Sequence, residues 1–262
     1  METFFVIYVW VLTALLGVCV GSFLNVVIYR VPENMSIAFP PSHCPKCGYR
    51  LRFYDNIPVL SYLILGGRCR QCRERISPRY LIVELLNMAL WLLSLWFFGS
   101  YSLVYAGITA VALSVAVCIC FIDLDHMIIL GRFQILLALL GVCAVFFDPY
   151  EKPLSHLIGA VCAGGVFLLV AFIAEKILGR EALGGGDIKL VAAMGLFLGW
   201  KRILLTVLVA SVVASVVLII VRRCHHDEKE AEYPFGPFLT FGFAFSLFLG
   251  EPLINAYLSL LF

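Results

Sequence analysis

The hydrophobic pattern of this chain consists of long apolar stretches separated by short polar connections. Seven stretches have about the 17 to 25 residues that an α-helix needs to cross a bilayer. They lie at 4–28, 80–98, 101–122, 128–147, 154–178, 203–221 and 235–262. An eighth, shorter stretch at 188–200 directly follows a glycine-rich segment. We therefore predict an all-α, polytopic membrane protein with about eight transmembrane helices.

One polar segment of substantial length interrupts this pattern, at residues 30–79. The apolar stretch before it lacks the basic start and the small-residue cleavage pattern of a signal peptide, so we expect it to remain as a helix. The chain thus divides into a first transmembrane helix at 1–29, a loop domain at 30–79 and a membrane-embedded core at 80–262.

The composition agrees with a membrane protein. Hydrophobic residues make up 62% of the chain and charged residues 14%, whereas soluble domains average about 45 to 50% apolar residues. The net charge of +2 is too small to indicate nucleic acid as a partner. We therefore expect the lipid bilayer as the surroundings and no nucleic-acid partner.

The positions of the basic residues predict the orientation. If the eight helices alternate in direction, only Lys152, Lys201 and Arg202 of the 19 lysines and arginines fall on one side, which leaves sixteen on the other. Because basic residues concentrate in cytoplasmic loops, the 30–79 loop is predicted to be cytoplasmic, with both chain ends outside.

The cytoplasmic loop carries two CxxC motifs, CPKC at 44–47 and CRQC at 69–72, with 21 residues between them. Two such motifs supply four thiolates to a tetrahedral Zn²⁺ at about 2.3 Å, and a site closed by four cysteines is structural. A pair of disulfides is the alternative, which a reducing cytoplasm disfavours. We predict a zinc site formed by Cys44, Cys47, Cys69 and Cys72.

Three acids lie closest to apolar surroundings on the cytoplasmic side: Asp123, Asp125 and Asp187. Asp123 and Asp125 are two positions apart, so on one helix they point about 200° from each other. Only one of them can face a cavity with Asp187, and spacing does not choose between them. Two carboxyls in a partly desolvated site share a proton, so that one activates water while the other protonates the scissile amide. The glycines at 184–186 leave room for an extended peptide.

Other roles fit the same acids. Asp187 follows a glycine turn and would suit the cap of the next helix. Asp123 and Asp125 would suit interfacial positions that reach headgroup water, and an ion or proton pathway is a third interpretation. Glu84 would either reach the membrane interface or line the same cavity.

Seven segments, in order, resemble the type IV prepilin peptidase family. They are GSFLNVVIYRVP at 21–32, CPKCGYRL at 44–51, DNIPVLSYLILGGRCRQC at 55–72, ISPRYLIVEL at 76–85, FIDLDH at 121–126, GGGDIKL at 184–190 and PFGPFL at 234–239.

The resemblance implies an aspartic endopeptidase of the bacterial inner membrane. Its members cleave the leader from type IV prepilins or type II secretion pseudopilins at the cytoplasmic face, and many N-methylate the new N terminus with S-adenosylmethionine. By resemblance, the catalytic residues are Asp123 and Asp187, the four cysteines of the CxxC motifs are the zinc ligands, and Gly67 is linked to methyl transfer. Acids near the border, such as Asp125, Glu181 and the loop around 228–232, would attract the basic leader.

The sequence departs from the family at Leu130 and Gly131, where proline and aspartate are common. Loss of the proline would straighten the start of the fourth helix and alter the presentation of Asp123. Because both acids are present, we still predict activity. The alternative is a non-enzymatic membrane carrier or secretion assembly factor whose aspartates coordinate ions.

Overall fold

A computed structural model describes residues 2–179, 184–224 and 233–261. Within these ranges the secondary structure is almost entirely helical, without β-strands beyond two isolated bridges. The helices are α1 (Glu2–Arg30), α2 (Leu60–Ile64), α3 (Arg79–Phe98), α4 (Leu103–His126), α5 (Gly131–Val145), α6 (Pro153–Leu178), α7 (Gly185–Leu198), α8 (Trp200–Cys224) and α9 (Gly236–Leu261). The all-α prediction is confirmed.

Eight of the helices in the described ranges are long, and each corresponds to one predicted apolar stretch. Six of these, α1, α3, α4, α6, α8 and α9, are long and apolar enough to cross a membrane. The helices α5 and α7 are shorter, with 15 and 14 residues. The count of eight crossings is therefore approximate, whereas the multi-pass character of the protein is clear.

The turn between α4 and α5 forms without the proline that the family usually has. Met127 ends α4 in the left-handed conformation, and its N–H donates to the carbonyl of Asp123 at 2.9 Å. Leu130 is extended, with φ −73° and ψ 129°, so that α5 begins at Gly131 rather than at the predicted residue 128. The expectation that the chain would straighten here was wrong, because the left-handed cap already ends the helix.

The chain forms two compact units, the first ending at Ser100 and the second beginning at Tyr101. In the first unit, α1 packs along α3. The small-residue pair Gly17 and Gly21 permits this close approach, since a Cβ on Gly21 would lie 2.8 Å from the Cα of Glu84. The Asn87 side chain donates to the carbonyl of Gly17 at 2.7 Å across the same interface.

The second unit is built around α4 and α7. Two-thirds of the α4 span is buried (67%), and the helix packs against α5 and α9. Helix α7 packs against α5, α6, α8 and α9. Its crossing with α6 is tight, because a Cβ on Gly159 would lie 2.6 Å from the carbonyl oxygen of Gly195. In contrast, only 11% of the α6 span is buried, and its exposed apolar side chains suit contact with lipid.

Candidate active site and metal centre

The carboxylate of Asp123 lies in the last turn of α4 and is 4% exposed. Its Oδ2 atom accepts a hydrogen bond of 2.9 Å from the backbone N–H of Gly236. Asp125, two positions further along the same helix, is exposed to the surroundings. The structure therefore turns Asp123, and not Asp125, toward the interior of the second unit.

The partner of Asp123 is the first residue of α9. A Cβ on Gly236 would lie 2.5 Å from Oδ2 and 3.1 Å from Cγ of Asp123, so any other residue here would displace the carboxylate or the start of α9. The N-terminal end of a helix carries a partial positive charge and unpaired N–H groups, which favour a nearby anion. Helix α9 thus holds one carboxylate oxygen in a fixed place.

Asp187 lies in the first turn of α7 and is half-buried. The start of α7 lies near Asp123, because Ile129 is 3.1 Å from the position of a Cβ on Gly186 and 3.3 Å from that of a Cβ on Gly236. The carboxylates of Asp187 and Asp123 are close enough for their charges to repel, so the two acids lie in one site. The Oδ1 atom of Asp187 is buried and has no hydrogen-bond partner among the described residues. The N-cap residue of α7 is Gly184, so the interpretation of Asp187 as the cap of this helix was wrong.

Two further residues position the start of α7. The side chain of Gln134 in α5 donates to the carbonyl of Gly186 at 2.9 Å. A Cβ on Gly186 would lie 3.1 Å from Cβ of Ile129, so this glycine allows the α4–α5 turn to lie against α7. Neither Gln134 nor Gly236 was singled out from the sequence. Of these two residues, only Gly236 could have been found from the sequence, because it lies within the PFGPFL segment that resembles the family.

The acids proposed to attract a basic leader are only partly described. Asp125 is exposed, as an attracting acid needs to be. Glu181 and the acidic loop at 228–232 lie outside the described residues.

Glu84 is a buried residue of α3, so the interpretation of Glu84 as an interfacial residue was wrong. Its Oε2 atom accepts a hydrogen bond of 2.7 Å from the N–H of Val59. Val59 has φ 61° and ψ −54°, and the N–H of Leu60 donates to the carbonyl of Pro58 at 2.6 Å. This is a γ-turn of the rare, strained kind, and the carboxylate of Glu84 fastens the loop to α3 at the strained residue.

The two CxxC motifs form two similar turns in the first unit. In one turn the N–H of Cys44 donates to the carbonyl of Tyr49, and in the other the N–H of Cys69 donates to that of Glu74. The residue after each motif, Gly48 or Arg73, adopts a positive φ of 71° or 60°. Each turn thereby presents both of its thiols on the same side.

The four sulfurs converge on one point. The Sγ atoms all lie within 4.8 Å of one another, with 3.9 Å between Cys44 and Cys72 and 4.0 Å between Cys47 and Cys69. A tetrahedron of sulfurs around Zn²⁺ at 2.3 Å has edges of about 3.8 Å. The cluster therefore fits a tetrahedral metal ion, and its cysteines are not joined as disulfides.

Backbone groups favour a thiolate in this cluster. The N–H groups of Cys72 and Gln71 donate to the sulfur of Cys69 and lower its pKa to about 7. The backbone N–H of Glu74 lowers the pKa of Cys72 in the same turn, but burial and the neighbouring thiols raise it to about 12. Metal ligation requires the thiolate, so in this turn the backbone prepares Cys69 as a ligand.

A buried carboxylate joins the two cysteine turns. Asp55 accepts hydrogen bonds from Tyr49 at 3.0 Å and from Arg70 at 2.6 Å, one residue from each turn. Burial alone would raise the pKa of Asp55, but the hydrogen bonds from Arg70, Tyr49 and the backbone of Arg52 lower it below its ordinary value. Asp55 thus stabilises the approach of the two turns through charge.

Gly67 borders a cavity of about 550 Å³ in the first unit. Its φ of 65° favours glycine, and a Cβ there would lie 2.9 Å from the hydroxyl of Tyr62. The remaining lining includes Arg68, Arg75 and Ser77. The lining also includes Ile76 and Pro78, so the cavity has both polar and apolar walls, and it lies directly beside the second cysteine turn.

Comparison with known proteins identifies the family. Residues 15–98 match the bacterial peptidase A24 N-terminal domain, and residues 110–219 match the type IV leader peptidase family. The chain belongs to the type IV leader peptidase family. Both units contribute to the match, with the cysteine cluster in the first matched range and both aspartates in the second. No solved structure matches the chain.

Individual relatives agree with this family assignment. A protein of Pseudomonas aeruginosa is 32% identical over 275 residues, which covers 94% of this chain and 92% of the relative. A Burkholderia pseudomallei protein is 35% identical, and the match covers 90% of this chain and 84% of that protein. A Myxococcus xanthus protein is 44% identical over 206 residues, covering 78% of this chain but 61% of that longer protein. Each is named prepilin leader peptidase/N-methyltransferase.

Proposed function

We propose that this leader peptidase removes the N-terminal leader of type IV prepilins or type II secretion pseudopilins, with Asp123 and Asp187 as its catalytic pair. The observation that carries the proposal is the meeting of these two acids, from the end of α4 and the start of α7, in one partly buried site. The family match and the names of the relatives supply the substrate class.

The chemistry follows from two close carboxyls that share one proton. The ionised carboxylate removes a proton from water, and the resulting hydroxide attacks the scissile carbonyl. The protonated carboxyl stabilises the developing oxyanion and supplies a proton so that the amine can leave. The peptide bond is hydrolysed without a covalent enzyme intermediate, and the pair ends with its single proton.

The orientation of the site follows from the basic residues. The excess of lysine and arginine on one side supports a cytoplasmic position for the 30–79 loop and for both aspartates, at the border of the inner membrane. A prepilin would place its apolar segment in the bilayer and its leader in the cytoplasm. The scissile bond then lies at the membrane border, where the two acids are.

For the first unit we propose a structural zinc ion bound by the four cysteines of the CxxC motifs. Thiolate ligands and a closed tetrahedral geometry suit Zn²⁺, and four protein ligands leave no position for catalysis. The ion would link the second cysteine turn, which lies beside Gly67 and its cavity, to the first.

We also propose N-methylation of the new N terminus, which the names of the relatives support. S-adenosylmethionine would supply an electrophilic methyl group. The cavity beside Gly67 suits this donor, because Arg68 and Arg75 line it and can pair with the carboxylate of the donor's methionine part.

Mass spectrometry of a prepilin's N terminus after co-expression tests both activities. We expect a shortened, methylated terminus with the unmodified protein and an intact leader with Asp123→Asn or Asp187→Asn. Asp125→Asn is the matched control, since this exposed acid lies two positions from Asp123; it should still cleave, and a loss of attraction for the basic leader would appear only as a higher KM. Normal processing by either of the first two variants would show that the dyad assignment is wrong. A shortened but unmethylated product would support the proposed peptidase activity and contradict the proposed methyltransferase activity.

A further inference from the structure

A second cluster of charged side chains lies buried in the second unit, away from the two aspartates. Its centre is Asp148, in the connection between α5 and α6, whose side chain has no exposed surface. His156 at the start of α6 and Arg202 at the start of α8 are equally buried. Tyr105 in the first turns of α4 is also fully buried. Burying charges is costly unless they are paired, so their arrangement calls for a role.

These side chains share one carboxylate oxygen. An Nη2 atom of Arg202 pairs with Oδ2 of Asp148. The hydroxyl of Tyr105 donates to the same oxygen at 3.2 Å, and Nε2 of His156 lies 3.6 Å from it. Asp148 therefore joins the start of α4 to the start of α8, and His156 of α6 lies beside the same oxygen without a hydrogen bond to it. We refer to Tyr105, Asp148, His156 and Arg202 as the Asp148 clamp.

The clamp also holds the end of α7. The Nε atom of Arg202 donates to the carbonyl of Leu198 at 2.8 Å. The Nδ1 atom of His156 lies 3.1 Å from the carbonyl of Leu196, and since a carbonyl only accepts, this nitrogen is the donor. Carbonyls in the last turn of a helix have no partner within the helix. The clamp satisfies two of these groups and fixes α7 along its axis.

The helices joined in this way are those that carry the two aspartates. Tyr105 lies in the first turn of α4 and Asp123 in its last turn, 18 residues or about 27 Å further along the helix. Asp187 begins α7, and the carbonyls that the clamp holds end it. A shift of either helix along its axis would change the distance between the two carboxyls.

We propose that the Asp148 clamp positions the catalytic pair from a distance, by fixing the axial register of α4 against α7. This inference rests on the proposed function, in which Asp123 and Asp187 act together. Apolar contact would hold the same helix ends together without a preferred direction, whereas hydrogen bonds to one carboxylate fix both direction and distance. Buried polar groups are best attested in such register-setting roles.

The test compares Asp148→Asn and Tyr105→Phe with the unmodified full-length protein in detergent. Because a displacement of about 1 Å at a reacting pair costs about 100-fold in rate, we expect kcat per folded protein to fall by that order in Asp148→Asn, with KM unchanged. Tyr105→Phe removes a single donor and keeps the ring, so it should fold normally and show a smaller loss of kcat. Since the shared proton depends on carboxyl separation, the acid limb of the kcat pH profile should also shift.

Hydrogen exchange gives a readout that does not depend on cleavage. The Gly236 N–H is bonded to Asp123 at the far end of α4, and we expect its exchange to become faster in both clamp variants. Val83→Ala, which removes volume from a fully buried position in the first unit, is the control for lost stability alone. It should lower the melting temperature without changing kcat or Gly236 exchange.

The outcomes separate this inference from the proposed function. A lower melting temperature in both clamp variants, with kcat, pH profile and Gly236 exchange unchanged, would mean that the clamp is structural only and would overturn the inference. If Asp148→Asn does not fold, the same measurements on Tyr105→Phe decide. If Asp123→Asn and Asp187→Asn still cleave, the proposed function fails, whereas faster Gly236 exchange would still show that the clamp controls the position of Asp123.

Discussion

Gly236 donates its backbone N–H to the buried carboxylate of Asp123 at 2.9 Å, although the two residues are 113 positions apart in the chain. This hydrogen bond shows that the face of α4 with Asp123, and not the face with Asp125, points into the site. It also explains why a glycine begins α9, since the space that a Cβ would occupy is taken by the carboxylate.

Gly236→Ala should therefore inactivate the protein without unfolding it. A Cβ at this position would lie 2.5 Å from Oδ2 of Asp123, so the carboxylate or the start of α9 has to move. We expect leader cleavage to fall by about 100-fold, measured as kcat on a purified prepilin. Gly107→Ala is the matched control, because a Cβ on that α4 glycine meets nothing within 4 Å and should leave kcat unchanged. Equal activity of both variants would contradict a positioning role for Gly236.

Bound zinc is expected at about one ion per chain in the purified, reduced protein. The double variant Cys44→Ser, Cys69→Ser should contain none, because it removes one ligand from each cysteine turn. Elemental analysis measures the ion directly. Cys143→Ser, at an exposed position in α5 outside the cluster, should retain the metal. If the unmodified, reduced protein contains no metal, the proposal of a zinc site is wrong.

The contribution of Asp55 to stability should depend on pH. Its pKa is lowered in the folded protein, so the ionised form is the one that folding favours. The stabilisation is present above the ordinary pKa of about 3.9 and is lost as the pH falls through the lower folded-state value. We expect Asp55→Asn to have a lower melting temperature than the unmodified chain at pH 5 to 7, with the gap closing below about pH 4.

Comparing the two proteins at each pH isolates Asp55, because acid also protonates the cysteine thiolates in both of them. Arg70→Gln removes the charged partner from the other cysteine turn and should lower the melting temperature in the same pH range. A gap that stays constant down to pH 3 would show that the charge of Asp55 is not what stabilises the loop.

How much could be predicted from sequence differs between the fold and the site. Helix existence was predictable because a bilayer requires long apolar stretches, and the cysteine cluster because its ligands lie in two short motifs. The choice between Asp123 and Asp125 was not predictable from spacing, since it depends on Gly236 in a helix much later in the chain. The role of Glu84 depends on the γ-turn at Val59, a backbone conformation that a β-branched residue rarely adopts and that no local pattern indicates.

The departure from the family at Leu130 and Gly131 should have little effect, and restoring the family residues tests this. Leu130 already has φ −73°, which a proline ring accepts, and a Cβ on Gly131 meets nothing within 4 Å. Proline at a compatible position stabilises a fold by about 0.4 to 1 kcal/mol, because it lowers the entropy of the unfolded chain. An aspartate in the first turn of α5 would also interact favourably with the helix dipole. We expect Leu130→Pro and Gly131→Asp to raise the melting temperature slightly and to leave kcat on a prepilin unchanged. A large gain in kcat would instead mean that this turn limits how Asp123 is presented, and the left-handed cap at Met127 would not be a sufficient replacement for the proline.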